Sequence, residues 1–341
     1  MGKNRFIEEL AEGESFNDLL MVKSARMGET RAGKPYLVLV LGDKSGEISG
    51  PIWENAEAQQ KSCVPGVVVN IKGLVQTYNE KLQLKIDTVS IADEHSYDRE
   101  AFVASSHRGP EKMQGELKKL IKNMRNSYLK ELLDRLFFKS DTGKRYRQSP
   151  AAKGIHHAYM GGLLEHSLSM AHVSLLLAGH YEGIDNDLLL AGALLHDIGK
   201  TVELQSATGV IDYTDTGRLK GHLVIGCEMI GREAKHIKDF PDDLLTQLQH
   251  LVLSHHGRQE FGSPIVPMTA EALLLSFIDD MDAKMNLVEQ LRRKVKSGGM
   301  QWSDYQRSLE RFLLLKPMAD QQEQSLSVPE ESVAGKQRSL F

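Results

Sequence analysis

The apolar residues of this chain change their spacing once, near residue 110, and that change restricts the fold to two unlike domains. Upstream, Val67, Val69, Ile71, Gly73 and Val75 alternate with Val68, Asn70, Lys72 and Leu74. Leu82, Leu84 and Ile86 alternate likewise with Gln83, Lys85 and Asp87. A period of two sends successive side chains to opposite faces of a strand. Downstream, Met113, Leu117, Leu120, Ile121, Met124, Tyr128, Leu132 and Leu136 recur at three- and four-residue steps. That is the stripe of an amphipathic helix. A length of 341 residues with 41% hydrophobic and 26% charged residues is enough for two folded cores.

In the upstream part, strands are expected from Asp18 to Met27, over Tyr36 to Leu41 and from Glu47 to Trp53, followed by a short polar helix from Glu54 to Lys61 and the two alternating strands. Turn clusters at Gly42-Asp43-Lys44-Ser45-Gly46 and Asn79-Glu80 punctuate them. Three strands, a helix and two strands is the element order of a five-stranded OB barrel, placed at 1–92. Residues 93–110 are polar and turn-rich and read as a linker. Residues 111–315 read as an all-helical bundle, beginning with a helix over 112–136 and continuing with candidates at 162–182, 186–197, 218–239, 241–256, 268–294 and 301–315. Asn186 or Asp187 is the expected cap of the helix leading to His196. From 316 to 341 the apolar period is lost, and a Gln-, Ser-, Glu- and Pro-rich disordered tail is expected.

A net charge of −4 argues against a uniformly basic nucleic-acid binder but leaves room for a local basic surface. The only cysteines, Cys63 and Cys227, are far apart, which fits a reducing cytoplasm and excludes a thiolate zinc ribbon. The first residues lack an apolar signal core, and no run approaches the roughly 18 apolar residues of a membrane helix. A cytoplasmic protein without a membrane partner is expected.

Eleven of the thirteen histidines lie between His156 and His256. The segment Leu194-Leu195-His196-Asp197-Ile198-Gly199-Lys200 closes an apolar run and sets an imidazole beside a carboxylate. His166, His222, His255, His256 and Asp279 are spaced around it by 20–35 residues. No single helix can supply such a set, so each ligand must point inward from a different helix of a bundle. Imidazole and carboxylate together suit borderline divalent ions. His172, His180, His236 and His250 read as ordinary core or surface histidines, and His95 and His107 as linker residues. His156 and His157 are expected either to contact substrate or to cap the helix that follows.

In order and kind, these residues resemble the HD-domain phosphohydrolase superfamily. The stretch Gly161-Gly162-Leu163-Leu164-Glu165-His166-Ser167 and the preceding barrel narrow the resemblance to YhaM-type 3′–5′ exoribonucleases, over roughly residues 15–315. The resemblance implies one divalent ion among His166, His196, Asp197 and Asp279. Asp197 would bridge to a second ion held by His222 and His255, with His256 as the alternative or additional ligand. Mn²⁺ is the first expectation, with Co²⁺, Fe²⁺ or Ni²⁺ as alternatives. The implied chemistry is hydroxide attack on the terminal phosphodiester of single-stranded RNA, with single-stranded DNA as a second substrate, releasing nucleoside 5′-monophosphates. Asp197 and Lys200 are the expected catalytic residues, Lys200 holding a phosphate oxygen as a point charge. Competing readings are an HD phosphohydrolase acting on nucleotides or cyclic dinucleotides, and a non-catalytic single-strand-binding or clamp adaptor. Gly257-Arg258-Gln259 after His256 lacks the Gly-Tyr-Pro signature of cyclic-di-GMP hydrolases.

OB barrels hold single strands by stacking bases on aromatic rings while cations follow the phosphates. Tyr36, Tyr78, Lys34 and Lys81, together with His157 and Lys200, are the candidate substrate contacts. Trp53 reads as stacking ring or core, and Lys23, Arg26, Arg31, Lys72 and Lys85 as further cations. The last five residues, Gln337-Arg338-Ser339-Leu340-Phe341, resemble the pentapeptide that docks bacterial proteins on the DNA sliding clamp. Gln337, Ser339, Leu340 and Phe341 carry that resemblance, and Arg338 departs from it. A homo-oligomer is expected from the family, although no assembly surface is legible.

Overall fold

The computed structural model describes residues 2–79, 81–106, 108–153, 157–206, 209–293, 295 and 299–317. Its five N-terminal strands are β1 (Ser15–Glu29), β2 (Pro35–Asp43), β3 (Gly46–Ile52), β4 (Val68–Tyr78) and β5 (Lys81–Ile91), with helix α1 (Ala56–Ser62) between β3 and β4. They close into a barrel in the order β1-β2-β3-β5-β4. Strand β1 is long because it pairs twice: its first half with β4 and its second half with β2. A register shift between Val22 and Ser24 lets it bend from one partner to the other. Alternation fills the interior with Phe16, Leu20, Leu37, Leu39, Leu41, Ile71 and Leu84.

The segment 93–110 is tied down at several points. Two short 3₁₀ turns, capped by the Asp93 and Asp98 side chains, deliver Phe102 into a cluster with Leu19, Met21 and Val68. Phe102 is fully buried, with the Tyr97 ring edge-on at 5.4 Å. Beyond it, Ser106 N–H donates to Met160 O at 3.0 Å and Met160 N–H to Ala104 O at 2.9 Å. Phe102→Ala should therefore destabilise the full chain by about 3–5 kcal/mol. Denaturant unfolding checks this, and an unchanged midpoint would mean the segment is not anchored.

Helices follow: α2 (Pro110–Lys122), α3 (Ser127–Phe138), α4 (Asp141–Gln148), α5 (Gly162–His180), α6 (Asn186–Leu195), α7 (Lys200–Glu203), α8 (Asp215–Ala234), α9 (Asp242–Ser254) and α10 (Ala270–Arg293). A small ladder of β6 (Leu204–Gln205) and β7 (Asp212–Tyr213) lies between α7 and α8. The single helix expected over 112–136 is two, because Asn126 starts a new one by accepting N–H bonds from Tyr128 and Leu129. Helix α6 is apolar all round, and every residue from Leu188 to Leu195 is buried. A helix of that kind belongs at the centre of a bundle, so its C-terminal end delivers His196 and Asp197 to the interior. Its cap is Asp185, which accepts from Asp187 N–H and Leu188 N–H. The Asp187 carboxylate instead accepts from Arg125 N–H and Asn126 N–H, at 2.7 and 2.6 Å.

The chain divides into two compact units, Met1–Lys284 and Met285–Phe341. In the second, the helix expected over 301–315 is replaced by an antiparallel pair, β8 (Gln301–Trp302) with β9 (Leu314–Leu315). Short apolar runs such as Phe312 to Leu315 fit either period, and here strand pairing wins. The expected tail and clamp-docking residues Gln337, Ser339, Leu340 and Phe341 lie outside the described residues. Among the described residues, no helix is long and apolar enough to cross a membrane.

Candidate metal centre

Five helices bring the histidines and aspartates together. His166 lies one turn into α5, His196 caps the end of α6, and Asp197 follows in the turn to α7. His222 is on α8, His255 and His256 follow α9, and Asp279 is on α10. Two glycines allow the close approach. A Cβ on Gly192 would meet Leu251 Cδ2 at 2.5 Å, so α6 can lie against α9. A Cβ on Gly199 would sit 2.0 Å from His222 O, so the α6–α7 turn lies directly on α8. Gly221, at φ 72° and ψ 155°, breaks α8 just before His222 and re-aims it.

His166 Nε2 is 3.2 Å from His196 Nε2 and 3.2 Å from Asp279 Oδ1. His196 Nε2 is 3.3 Å from Asp197 Oδ2. The other Asp197 oxygen, Oδ1, faces His222 Nε2 at 3.4 Å and His255 Nε2 at 3.7 Å. His222, His255 and His256 form one group of nitrogens within 4.8 Å of one another. His255 is the one of the adjacent pair that approaches Asp197, while the His256 ring lies 5.2 Å from the His222 ring on the outer side. Every residue expected as a ligand thus lies in one continuous cluster.

Lys200 is also there: its Nζ donates to Asp197 Oδ2 at 2.6 Å. His157, expected as a substrate contact or helix cap, does not cap the helix. It is 3% exposed, with Nε2 3.2 Å from Asp282 Oδ2 and Nδ1 2.9 Å from Tyr159 Oη. The residue before α5 is Gly161, which provides no side-chain cap. His156 and His107 lie outside the described residues. His172 and His180 are exposed, and His250 accepts from Met268 N–H at 2.9 Å.

On the barrel, Tyr36 stacks on Trp53 with ring centroids 4.8 Å apart and planes at 29°. Trp53 is exposed and forms no part of the core. Gly28, opposite Tyr36 on β1, leaves room for that ring, since a Cβ there would lie 2.6 Å from it. Tyr78, Lys34 and Lys81 are exposed near strand ends. Lys23 is not available to phosphate: its Nζ donates to Phe102 O and Gly209 O, both at 3.2 Å, and burial depresses its pKa.

Residues 163–284 match the HD domain family, and residues 21–92 match the OB-fold nucleic acid binding domain family. The 3′–5′ exoribonuclease YhaM of Geobacillus sp. (strain WCH70) is 35% identical over 287 residues, spanning 84% of this chain and 87% of that protein. The chain belongs to the YhaM family. Two solved domains of replication protein A from Methanococcus maripaludis also align. One is 24% identical, with a TM-score of 0.23, covering 27% of this chain and 94% of that one. The other is 21% identical, with a TM-score of 0.22, covering 28% and 97%. As a YhaM-family member with an HD domain, the chain is a hydrolase that depends on divalent metal.

Its residues fit such ions. Asp197 Oδ1, His222 Nε2 and His256 Nδ1 are buried without a hydrogen-bond partner. Groups left unpaired in the interior cost free energy unless something else binds them. Burial and the neighbouring imidazoles hold His255 and His256 below the ordinary histidine range, so both are neutral and can offer lone pairs. Burial alone would raise the Asp197 carboxyl, but Lys200, His196 and His222 outweigh it and keep the group well below the usual carboxylate range. At His166, burial works against protonation, yet the Asp279 and Asp282 carboxylates raise its pKa to about 9. An ion arriving at His166 must displace that proton.

Two contributors went unread in the sequence. Asp282 accepts from His166 Nδ1 at 2.7 Å, and Glu203 accepts from His222 Nδ1 at 3.1 Å. The i+3 spacing of Asp279 and Asp282 on one helix face was the available signal for the first. Nothing local marks Glu203.

Proposed function

We propose that the chain is a metal-dependent 3′–5′ exonuclease. It shortens single-stranded RNA, with single-stranded DNA as a second substrate, to nucleoside 5′-monophosphates at a two-ion site, Mn²⁺ being the first candidate. The observation that carries this reading is Asp197, whose Oδ2 faces the His166–His196 side while its buried, unpartnered Oδ1 faces His222 and His255. One carboxylate presented to two imidazole groups is the arrangement of a bridging ligand. Divalent ions there would supply hydroxide near neutral pH and offset charge on the scissile phosphate. His166, His196, Asp197 and Asp279 would hold the first, and Asp197, His222 and His255 the second, with His256 beside it. Lys200 stands against the same carboxylate, where its ammonium can hold a phosphate oxygen.

The stacked Tyr36–Trp53 pair, with Tyr78, Lys34 and Lys81, is the proposed grip on the strand. Trp53→Ala should weaken single-stranded RNA binding by about 1–3 kcal/mol while leaving the rate at saturating RNA unchanged. Fluorescence anisotropy with a labelled oligonucleotide measures the first quantity, and equal affinity would remove Trp53 from the interface.

The reading as a whole is tested with 5′-labelled single strands and Mn²⁺. Stepwise shortening from the 3′ end, with mononucleotide product, is expected. Turnover of free nucleotides alone, or binding without cleavage, would overturn it. The clamp-docking proposal for Gln337 to Phe341 rests on the sequence. Deleting these five residues should leave hydrolysis intact and abolish retention on immobilised sliding clamp; equal retention would dispose of it.

A further inference from the structure

Four of the five imidazoles that converge on the site, those of His166, His196, His222 and His255, are held from behind at Nδ1, and they are held in two different ways. His196 Nδ1 is 3.0 Å from Ala193 O, and His255 Nδ1 is 2.7 Å from Val252 O, each a carbonyl three residues back. His166 and His222 have carboxylates instead, Asp282 Oδ2 at 2.7 Å and Glu203 Oε1 at 3.1 Å. An acceptor oxygen at Nδ1 keeps a proton there, so Nε2 is the nitrogen left to an ion. All four Nε2 atoms do face the cavity, toward Asp197, Asp279 or one another.

Asp282 is itself tightly fixed. Its Oδ2 also meets His157 Nε2 at 3.2 Å, and its Oδ1 accepts from Ser169 Oγ. His157 is locked in turn, at a φ of 48°, with its carbonyl accepting from Ala151 N–H at 3.1 Å. Gly162 packs against that same carbonyl, where a Cβ would lie 2.1 Å away. Asp279 and Asp282, one turn apart on α10, therefore clasp the two nitrogens of a single ring. Asp279 stands at Nε2 on the cavity side, and Asp282 at Nδ1 behind. Both oxygens of Asp282 are already engaged, which suits an orienting group better than a ligand. Glu203 plays the matching part for the other half of the site. Its Oε1 accepts from both Nδ1 and the backbone N–H of His222, directly after the break at Gly221.

We propose that Asp282 and Glu203 are positioning residues, one for each half of the site. Each would fix the ring and tautomer of one ion-facing histidine, His166 or His222, through the nitrogen turned away from the ion. This rests on the metal-dependent reading above. Carboxylate partners of this kind typically change metal affinity by 10–100-fold.

The test uses the full chain, Mn²⁺ titrated by calorimetry, and the variants Asp282→Asn and Glu203→Gln. Each should weaken Mn²⁺ binding by about 10- to 100-fold while both ions still bind at saturation. Activity should recover toward wild type as Mn²⁺ is raised, which a purely structural defect would not allow. Affinities equal to wild type would overturn the proposal. So would the loss of one ion per chain at saturating Mn²⁺, which would make the carboxylate a ligand. If one variant fails to fold, the other still decides. Wild-type protein that takes up no Mn²⁺ would instead sink the metal-dependent reading itself.

Discussion

Asp197→Ala is expected to lose both ions and all measurable hydrolysis, a fall of at least about 10³-fold, while single strands still bind the barrel. The size of the effect follows from the position of the carboxylate. Its two oxygens face the two halves of the cluster, so its removal dismantles both at once. A single terminal ligand such as His255 touches one half only. The substitution has a second consequence. Lys200 Nζ, now 2.6 Å from Asp197 Oδ2 and largely buried, is left without its counter-charge. Breaking a buried pair from one side costs about 3–5 kcal/mol, so the metal-free protein should also melt earlier. Asp197→Ala combined with Lys200→Met separates the two effects, since it removes the ligand without leaving a buried ammonium unpaired. Metal content by mass spectrometry, single-strand binding and a timed digestion on both variants check the prediction. Two ions retained in Asp197→Ala would remove Asp197 from the bridging position.

Gly199→Ala is expected to have a large effect although it adds only one methyl group. Gly199 has ordinary right-handed backbone angles, so strain is not the reason. Space is: a Cβ would lie 2.0 Å from His222 O and 2.8 Å from Gly226 N. Both are backbone atoms, which cannot rotate aside as a side chain can. Helix α8 must therefore move off the α6–α7 turn, taking His222 away from Asp197. Overpacking of this kind costs about 3 kcal/mol or more, which corresponds to a fall in Tm of roughly 6–12 °C. The His222 half of the site should lose its ion first. Gly226→Ala is the control, because its Cβ would meet nothing closer than 3.5 Å. Thermal melts and Mn²⁺ stoichiometry of the pair provide the comparison. Equal melting temperatures would show that the contact between α7 and α8 is not tight.

Much of this arrangement was legible before the fold was known. The barrel's element order follows from two-residue alternation between Val67 and Ile86, and the buried course of α6 from its unbroken apolar run. The set of His166, His196, Asp197, His222, His255, His256 and Asp279 could be chosen from the crowding of histidines between His156 and His256 and from the resemblance to HD domains. Other features were misread for local reasons. The apolar residues at 312–315 fit strand or helix equally, and pairing with Gln301 and Trp302 chose the strand. Lys23 looked like a free cation because nothing nearby in sequence indicates that Phe102 O and Gly209 O claim its ammonium. His157 reads as a substrate contact or helix cap, and nothing nearby in sequence points to its partner Asp282, which is 125 positions away.

The amino-acid order alone determined the two classes of secondary structure, the switch between them and the residues able to bind an ion, because periodicity and donor chemistry are properties of neighbouring residues. Only the tertiary structure decided that Asp197 faces two groups of imidazoles, that Asp282 and Glu203 stand behind two of them, and that Gly199 must lack a side chain. Those facts depend on contacts between helices tens of residues apart, and packing geometry at that range leaves no periodic trace in the chain.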